Sequence, residues 1–244
     1  NNKVELVMLE NIRYYENEEK NDDEFAKKLA SLGDLYVNEA FSCSHRPHAS
    51  LDKITKYIPS YAGKLLKEEL NALNKITKEI IKPITCIIGG SKISSKIKII
   101  ENLIPKFDNI ILVGGMANNI VKYKGFDIGK SIYEKNSENI IEKIFDLSEK
   151  HKCKIIVPED FLIAKSLSGN PVYRKIDKIQ NDEMILDIGE TSIQNIKNII
   201  MNSKTILWNG PAGYFENSEF SNGSKEIAKT IAKLTEEKKL FSVL

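Results

Sequence analysis

"ITCIIGGSKISSKIKII", residues 84–100, decides the fold class. A short apolar run between Pro83 and Gly89-Gly90 reads as a buried strand, and the residues after the glycines read as the start of a helix. Two glycines let a backbone come close to a ligand, and the N–H groups of a helix start favour anions. Lys92 and Lys96 are four apart, so on a helix they share a face and both reach a polyphosphate. An ordinary strand–helix turn with two solvent-facing lysines accounts for the same residues. The stretch is neither a G-x-x-x-x-G-K-[ST] loop nor a G-x-G-x-x-G dinucleotide fingerprint.

The same rhythm extends in both directions. Strand-like runs are "VELVML", "LYVNEA", "NIILVGG", "KIIVPED", "MILDIG", "TILWNG" and the final "LFSVL". Between them lie helical stretches. "NDDEFAKKLASLG" has Asn21 or Asp22 to cap it and Gly33 to stop it, and "GKLLKEELNALNKITKEII" has its apolar residues at helical spacing. Alternating strands and helices imply an α/β fold with a largely parallel sheet, whose ligands sit beyond the carboxyl ends of the strands. Four such ends carry Gly89-Gly90, Gly114-Gly115, Asp187-Ile188-Gly189 and Asn209-Gly210-Pro211. The helix around 64–81 is the natural boundary between two sheets.

Composition narrows the function. The chain has 244 residues, 41% of them hydrophobic, and a net charge of +2 from 36 basic and 34 acidic residues. That balance argues against a nucleic-acid partner held by bulk charge. Cys43, Cys86 and Cys153 show no CxxC or Cys/His spacing, which argues against a disulfide framework and a zinc site and fits a reducing cytoplasm. No apolar run approaches the ~20 residues needed to span a bilayer. Position 1 is not Met, and both ends read as cut inside a fold.

Two further loops carry chemistry. In "WNGPAGYFE" (208–216), Asn209 can donate to a phosphate and Glu216 can accept from ribose hydroxyls. Gly210, Pro211 and Gly213 can form a thin wall against a base, with Trp208 in the core. In "NEAFSCSHRPHAS" (38–50), His45, Arg46 and His48 follow a strand, and Arg13 lies near them in the fold order. Such a cluster suits a small phosphate- or carboxylate-bearing ligand; loop histidines and a surface arginine are the plain alternative. The His-Arg pair is not a protein-kinase catalytic loop, because Pro47 stands where that motif needs Asp.

Taken in series, "LENIRYYENEEKNDDEFAKKLASLGDLYVNEAF" (9–41), "HRPHAS" (45–50), "IIGGSKISSKIKIIENLI" (87–104) and "LWNGPAGYFE" (207–216) resemble the phosphoglycerate kinase family. "VGGMANNIVK", "GKSI" and "LDIG" follow in that family's order. The resemblance covers essentially the whole chain. It implies two Rossmann-like three-layer α/β domains with parallel sheets, joined by a long helix. Residues 1–63 would be the C-terminal part of the phosphoglycerate-binding domain, 64–82 the interdomain helix, and 83–244 the nucleotide-binding domain, with both domains incomplete.

The activity implied is reversible phosphoryl transfer from 1,3-bisphosphoglycerate to ADP in glycolysis. The nucleotide would be bound as its Mg2+ complex by a cytoplasmic monomer. The resemblance makes Arg13, His45 and Arg46 the phosphoglycerate side. Lys92 would serve the transferring phosphoryl and Lys96 the nucleotide phosphates. Gly90, Ser91, Gly115, Leu186, Pro211 and Tyr214 would line the nucleoside pocket, Asn209 would contact phosphate, and Glu216 would hold the ribose. No residue is assigned to metal. The attacking oxygen in this reaction is already an anion, so positioning and positive charge suffice without a general base.

Departures from the family pattern are Ser42-Cys43 for Gly-Thr, Val113 for the first of three glycines, and Glu190-Thr191 for a Pro-containing pair. Val113 is expected to narrow the adenine pocket. The family's opening Asp-x-Asn motif with its arginine, and its closing Gly-rich loop with a metal-binding Asp, have no counterpart. The alternative reading is therefore a catalytically impaired nucleotide-binding fragment, with turnover near background. An unrelated Rossmann-type dehydrogenase is disfavoured by the missing dinucleotide fingerprint.

Overall fold

The computed structural model describes residues 6–77 and 81–244, and of residues 75–77 the backbone alone. It divides into two compact units, residues 1–74 and 75–244.

In the first unit the acidic run after Tyr15 forms α1 (Glu16–Glu19), and α2 (Asp23–Ala30) follows. Asp22 caps α2 by accepting the Phe25 N–H at 2.8 Å, one of the orphan donors of a helix start. Strands β1 (Tyr36–Asn38) and β2 (Ser60–Ala62) pair in parallel. Helix α3 (Lys64–Thr77) begins where the Glu39 carboxylate accepts the Leu66 N–H at 3.0 Å. A small core joins Ala30, Ile54 and Ile58 to Leu29 and Tyr36.

Two expectations change here. Residues 6–9 of the expected opening strand are irregular and exposed, Met8 by 89%, and residues 4 and 5 lie outside the described residues. The helix expected to reach residue 82 is followed to Thr77, residues 78–80 lie outside the described residues, and 81–83 are irregular.

The second unit holds β3 (Ile84–Ile88), α4 (Ile97–Leu103), β4 (Asn109–Leu112), α5 (Gly115–Tyr123), α6 (Glu138–His151) and β5 (Lys154–Ile156). Next come β6 (Asp160–Ala164), β7 (Val172–Lys175) and β8 (Met184–Ile188). The chain continues through α7 (Glu190–Met201), β9 (Thr205–Asn209) and α8 (Asn222–Glu236) to β10 (Phe241–Val243). Five strands form one parallel sheet in the order β10-β9-β3-β4-β5. Alternation along the strands splits the core into two layers. Ile84, Cys86, Ile88, Ile110 and Leu112 pack against Ile100 of α4, Ile120 of α5, and Ile141 and Ile144 of α6. Ile87, Ile111 and Ile206 face Ile193, Ile196 and Ile200 of α7 and Ile227 and Ile231 of α8. Each fully buried isoleucine contributes about 1.5–3 kcal/mol.

A separate three-stranded antiparallel sheet, β7-β6-β8, is the main departure from the largely parallel arrangement expected. Strands β6 and β7, absent from the sequence reading, form a hairpin, and β8 pairs with β6 rather than with the parallel strands. Phe161, Ile163 and Ile179 of this lobe bury against Val121 and Ile128.

Candidate functional site

Three loops leaving the carboxyl ends of β3, β4 and β9 are hydrogen-bonded to one another through their backbones. The Gly89 N–H donates to Asn209 O at 2.8 Å, Gly114 N–H to Ala212 O at 3.1 Å, and Met116 N–H to Gly90 O at 2.8 Å. The glycines at these strand ends have two distinct uses. Gly89 packs against Gly210 and Pro211 so tightly that no side chain fits there. Gly90, by contrast, opens onto a cavity of about 280 Å³.

That cavity is walled by Gly90, Ser91, Gly114 and Gly115 on one side and by Pro211–Glu216 on another. The end of β8 supplies Leu186, Asp187 and Ile188, and Asn118, Ile132, Phe161 and Met184 complete it. Although β8 belongs to the other sheet, its end meets the loops of the parallel strands. Of the residues expected at a nucleoside pocket, Gly90, Ser91, Gly115, Leu186, Pro211, Tyr214 and Glu216 line it. Lys92, Lys96 and Asn209, expected at the phosphates and not at the nucleoside, stand outside the lining. Lys96 Nζ donates to the Asn209 side-chain oxygen, which ties the loop after β3 to the end of β9.

The expected helix does not start at the glycines. Residues 89–96 form a turn-rich loop, and α4 begins at Ile97 with Lys96 at its cap. Lys92 and Lys96 therefore share a loop rather than a helical face. Ile93, fully buried between them, anchors the loop in the core. Glu134, which the sequence reading did not single out, holds the loop from outside. Its carboxylate accepts the Ser94 N–H at 2.9 Å and the Ser94 hydroxyl. The Ser94 hydroxyl, then the Ser94 N–H, and further out Lys92, keep this carboxyl below its ordinary range. The Glu134 N–H donates in turn to Asn119 Oδ1 at 2.7 Å, and Asn119 Nδ2 donates to Gly115 O at 2.8 Å.

Val113 is fully buried in the core with Ile87, Ile111 and Ile206, and it does not line the cavity, contrary to the narrowing expected of it. Trp208 packs against the same core, and its Nε1–H donates to Gly210 O at 2.6 Å.

Asp187 is 1% exposed in the cavity wall. Its oxygens accept from Ile188 N–H and Gly223 N–H, each at 2.9 Å. Burial pushes its carboxyl up to about 6, against the pull of the Gly223, Ile188 and Asn222 N–H groups. The signal in the sequence was a lone carboxylate inside the apolar "MILDI" run. Asp160 is the contrasting case. Burial pushes it up too, but hydrogen bonds from Ser192 and Thr191 at the start of α7 outweigh that and leave it below its ordinary value.

In the first unit, Arg13, His45 and Arg46 are exposed. The Arg13 guanidinium lies 3.6 Å from Cys43 Sγ, and Cys43 O accepts the Arg46 N–H at 3.0 Å. His48 is buried with Nδ1 3.7 Å from Glu18, a carboxylate that also accepts the Ser50 N–H at 3.0 Å.

Among the described residues no group of three or more His, Cys, Asp or Glu is placed to hold a metal ion, and no helix is long and apolar enough to cross a membrane. A second hollow of about 640 Å³ lies beyond β5, lined by Lys124, Glu159, Tyr173, Lys175 and Asp177 among others. None of the residues expected at a site lines it. The first cavity suits a flat apolar group with an anionic tail: backbone and apolar walls inside, two lysines on the loop that leaves it.

Comparison with known proteins shows the family to which the chain belongs. The family model for phosphoglycerate kinase matches residues 1–244. The chain is 47% identical over 241 residues to the phosphoglycerate kinase of Wolbachia pipientis subsp. Culex pipiens (strain wPip), covering 98% of this chain and 61% of that protein. It is 42% identical to that of Methylorubrum extorquens (strain PA1), over 98% of this chain and 60% of the relative. The solved phosphoglycerate kinase of Coxiella burnetii superposes with a TM-score of 0.83 at 31% identity, covering 96% of this chain and 66% of that one. The chain thus spans about three fifths of the length of the curated relatives it matches.

Proposed function

The chain belongs to the phosphoglycerate kinase family, and we propose that it serves reversible phosphoryl transfer from 1,3-bisphosphoglycerate to ADP, giving 3-phosphoglycerate and ATP. In this reading residues 83–244 bind the nucleotide, residues 1–63 belong to the phosphoglycerate-binding domain, and the segment 64–82, helical from Lys64 to Thr77, joins two Rossmann-like domains. The enzyme works as a cytoplasmic monomer. The observation that carries the reading is the convergence of Gly90, Ser91, Gly115, Leu186 and Pro211–Glu216 on one cavity beside the loop of Lys92 and Lys96.

The base and ribose occupy the cavity, with Tyr214 and Pro211 against the base and Glu216 accepting from the ribose hydroxyls. Lys96 and Asn209, already joined to each other, sit toward the nucleotide phosphates. Lys92, free of any direct ion pair among the described residues, serves the transferring phosphoryl group. Arg13, Arg46 and His45 hold the glycerate's anionic groups. Magnesium enters with the nucleotide as part of the substrate and neutralises phosphate charge. The chain's part is positioning and fixed positive charge, which is what phosphoryl transfer between two anions demands.

The alternative, a nucleotide-binding form impaired in catalysis, draws on the first unit. Its core is small, and Leu6, Val7, Met8 and Tyr61 stand exposed. Calorimetric titration with ADP and magnesium, beside a coupled assay for ATP formation from 1,3-bisphosphoglycerate, tests both readings. Binding with turnover that Lys92→Ala abolishes supports the enzyme. Binding without turnover supports the impaired form, and no nucleotide binding at all overturns both.

A further inference from the structure

In the first unit the Arg13 guanidinium donates to a neutral sulfur and to no carboxylate. Its Nη2 lies 3.6 Å from Cys43 Sγ, and among the described residues neither Arg13 nor Arg46 forms an ion pair. Both arginines meet at this one cysteine, because Cys43 O accepts the Arg46 N–H at 3.0 Å. Arg174 shows the opposite arrangement. Its Nη2 donates to the buried Glu183 carboxylate at 2.9 Å, so its charge is already matched.

Cys43 is well anchored for such a task. It ends a short helical turn, Phe41–Cys43, in which its N–H donates to Ala40 O at 3.1 Å. The Ser44 hydroxyl donates to the same carbonyl at 2.8 Å, and Asn38 Oδ1 accepts the Ala40 N–H at 2.8 Å. Arg13 is held at its backbone, where its N–H donates to Asn11 Oδ1 at 3.1 Å. A long side chain loses rotamer freedom when it grips a ligand, and holding it in place beforehand lowers that cost. A carboxylate would hold the guanidinium too, but would offset its charge. A thiol is a weak and neutral acceptor, so it orients the arginine and leaves the charge to attract an anion.

We propose that Cys43 is a positioning residue for the anionic substrate, its thiol holding the Arg13 guanidinium ready for a phosphate or carboxylate group. This rests on the reading of Arg13, Arg46 and His45 as the phosphoglycerate side. A ligand on Arg13 then also shields the neighbouring sulfur. Cys43 is only partly buried, whereas Cys86 and Cys153 are 1% and 3% exposed. Buried thiols in apolar surroundings are inert, so a thiol reagent reports on Cys43 alone.

The test is calorimetry with 3-phosphoglycerate and with Mg-ADP on the 244-residue chain and its Cys43→Ala and Cys43→Ser variants, beside iodoacetamide labelling of the wild type followed by mass spectrometry. Cys43→Ala is expected to weaken 3-phosphoglycerate roughly fivefold, the worth of one modest hydrogen bond. Cys43→Ser, whose hydroxyl accepts from the same guanidinium, should restore most of that loss, and Mg-ADP affinity should be equal in all three. In the wild type, saturating 3-phosphoglycerate should slow labelling of Cys43, and Mg-ADP should not. Equal 3-phosphoglycerate affinity in wild type and Cys43→Ala overturns the positioning role and leaves the phosphoglycerate reading standing. A loss in Cys43→Ser as large as in Cys43→Ala does the same. Binding of no 3-phosphoglycerate by the wild type overturns both. If the variants fail to fold, labelling of the wild type decides: a rate unchanged by saturating 3-phosphoglycerate overturns the role of Cys43.

Discussion

A Cβ placed on Gly89 would fall 2.0 Å from the Pro211 carbonyl oxygen. Gly89 is thus where the loop after β3 seats against the loop after β9, and that contact closes the cavity on one side. Gly89→Ala must push backbone from backbone, at about 1–3 kcal/mol of stability, and should weaken binding of Mg-ADP. Gly125→Ala is the matched control. Its φ is +87° with nothing within 4 Å of a new Cβ, so it costs about 1–2 kcal/mol from backbone conformation alone and leaves binding unchanged. Urea unfolding with calorimetry checks this, and equal Mg-ADP affinities in the two variants would contradict it.

Asp187 makes stability depend on pH. Its carboxyl is raised from an ordinary 3.8 to about 6 by burial. A carboxyl raised on folding stabilises the native state fully when pH is below its unfolded value, and that contribution is lost as pH rises through the folded value. The two-unit rise corresponds to about 3 kcal/mol. The stability advantage of wild type over Asp187→Asn should therefore shrink by about that amount between pH 4 and pH 7. Paired denaturation curves measure it; a difference that stays constant with pH would refute the account.

Glu134 and Ser94 should act as one unit. Glu134→Gln and Ser94→Ala each release the loop of Lys92 and Lys96, so each should lower Mg-ADP affinity. The double variant should lose less than the sum of the two, because both break the bond from the Ser94 hydroxyl to the Glu134 carboxylate, while Ser94→Ala keeps the bond from the backbone N–H. Additive losses in a double-mutant cycle would show that the loop is held in some other way.

The two lysines should separate by ligand. Lys96→Ala removes a charge next to Asn209 and should weaken Mg-ADP binding roughly tenfold or more, the worth of a charge-assisted hydrogen bond. Lys92→Ala, at the residue proposed to serve the transferring group, should weaken a non-hydrolysable ATP analogue more than ADP. Identical effects of both variants on both ligands would erase the assigned difference in roles.

Much of the cavity was legible before any coordinates. The strand ends with their glycines, the "NGPAGYFE" loop and the cap at Asp22 are local features, written within a few neighbouring residues. The start of α4 was misplaced because a Gly-Gly pair followed by lysines and isoleucines matches a helix start as well as a loop. What decides between them is Ile93 burying in the core and Ser94 bonding to Glu134, 40 residues away.

The sequence by itself determined the α/β class, the order of most strands and helices, and the family, because periodicity, capping and turn residues act over a few positions. Tertiary structure decided the rest. It put β8 in an antiparallel sheet with β6, turned Val113 into the core rather than the cavity, and raised the Asp187 carboxyl by burying it. It also brought the Arg13 guanidinium to Cys43 Sγ. Each of these depends on which distant segment packs against a residue, and pairing between remote segments is set by the burial of whole faces, which no local window of sequence contains.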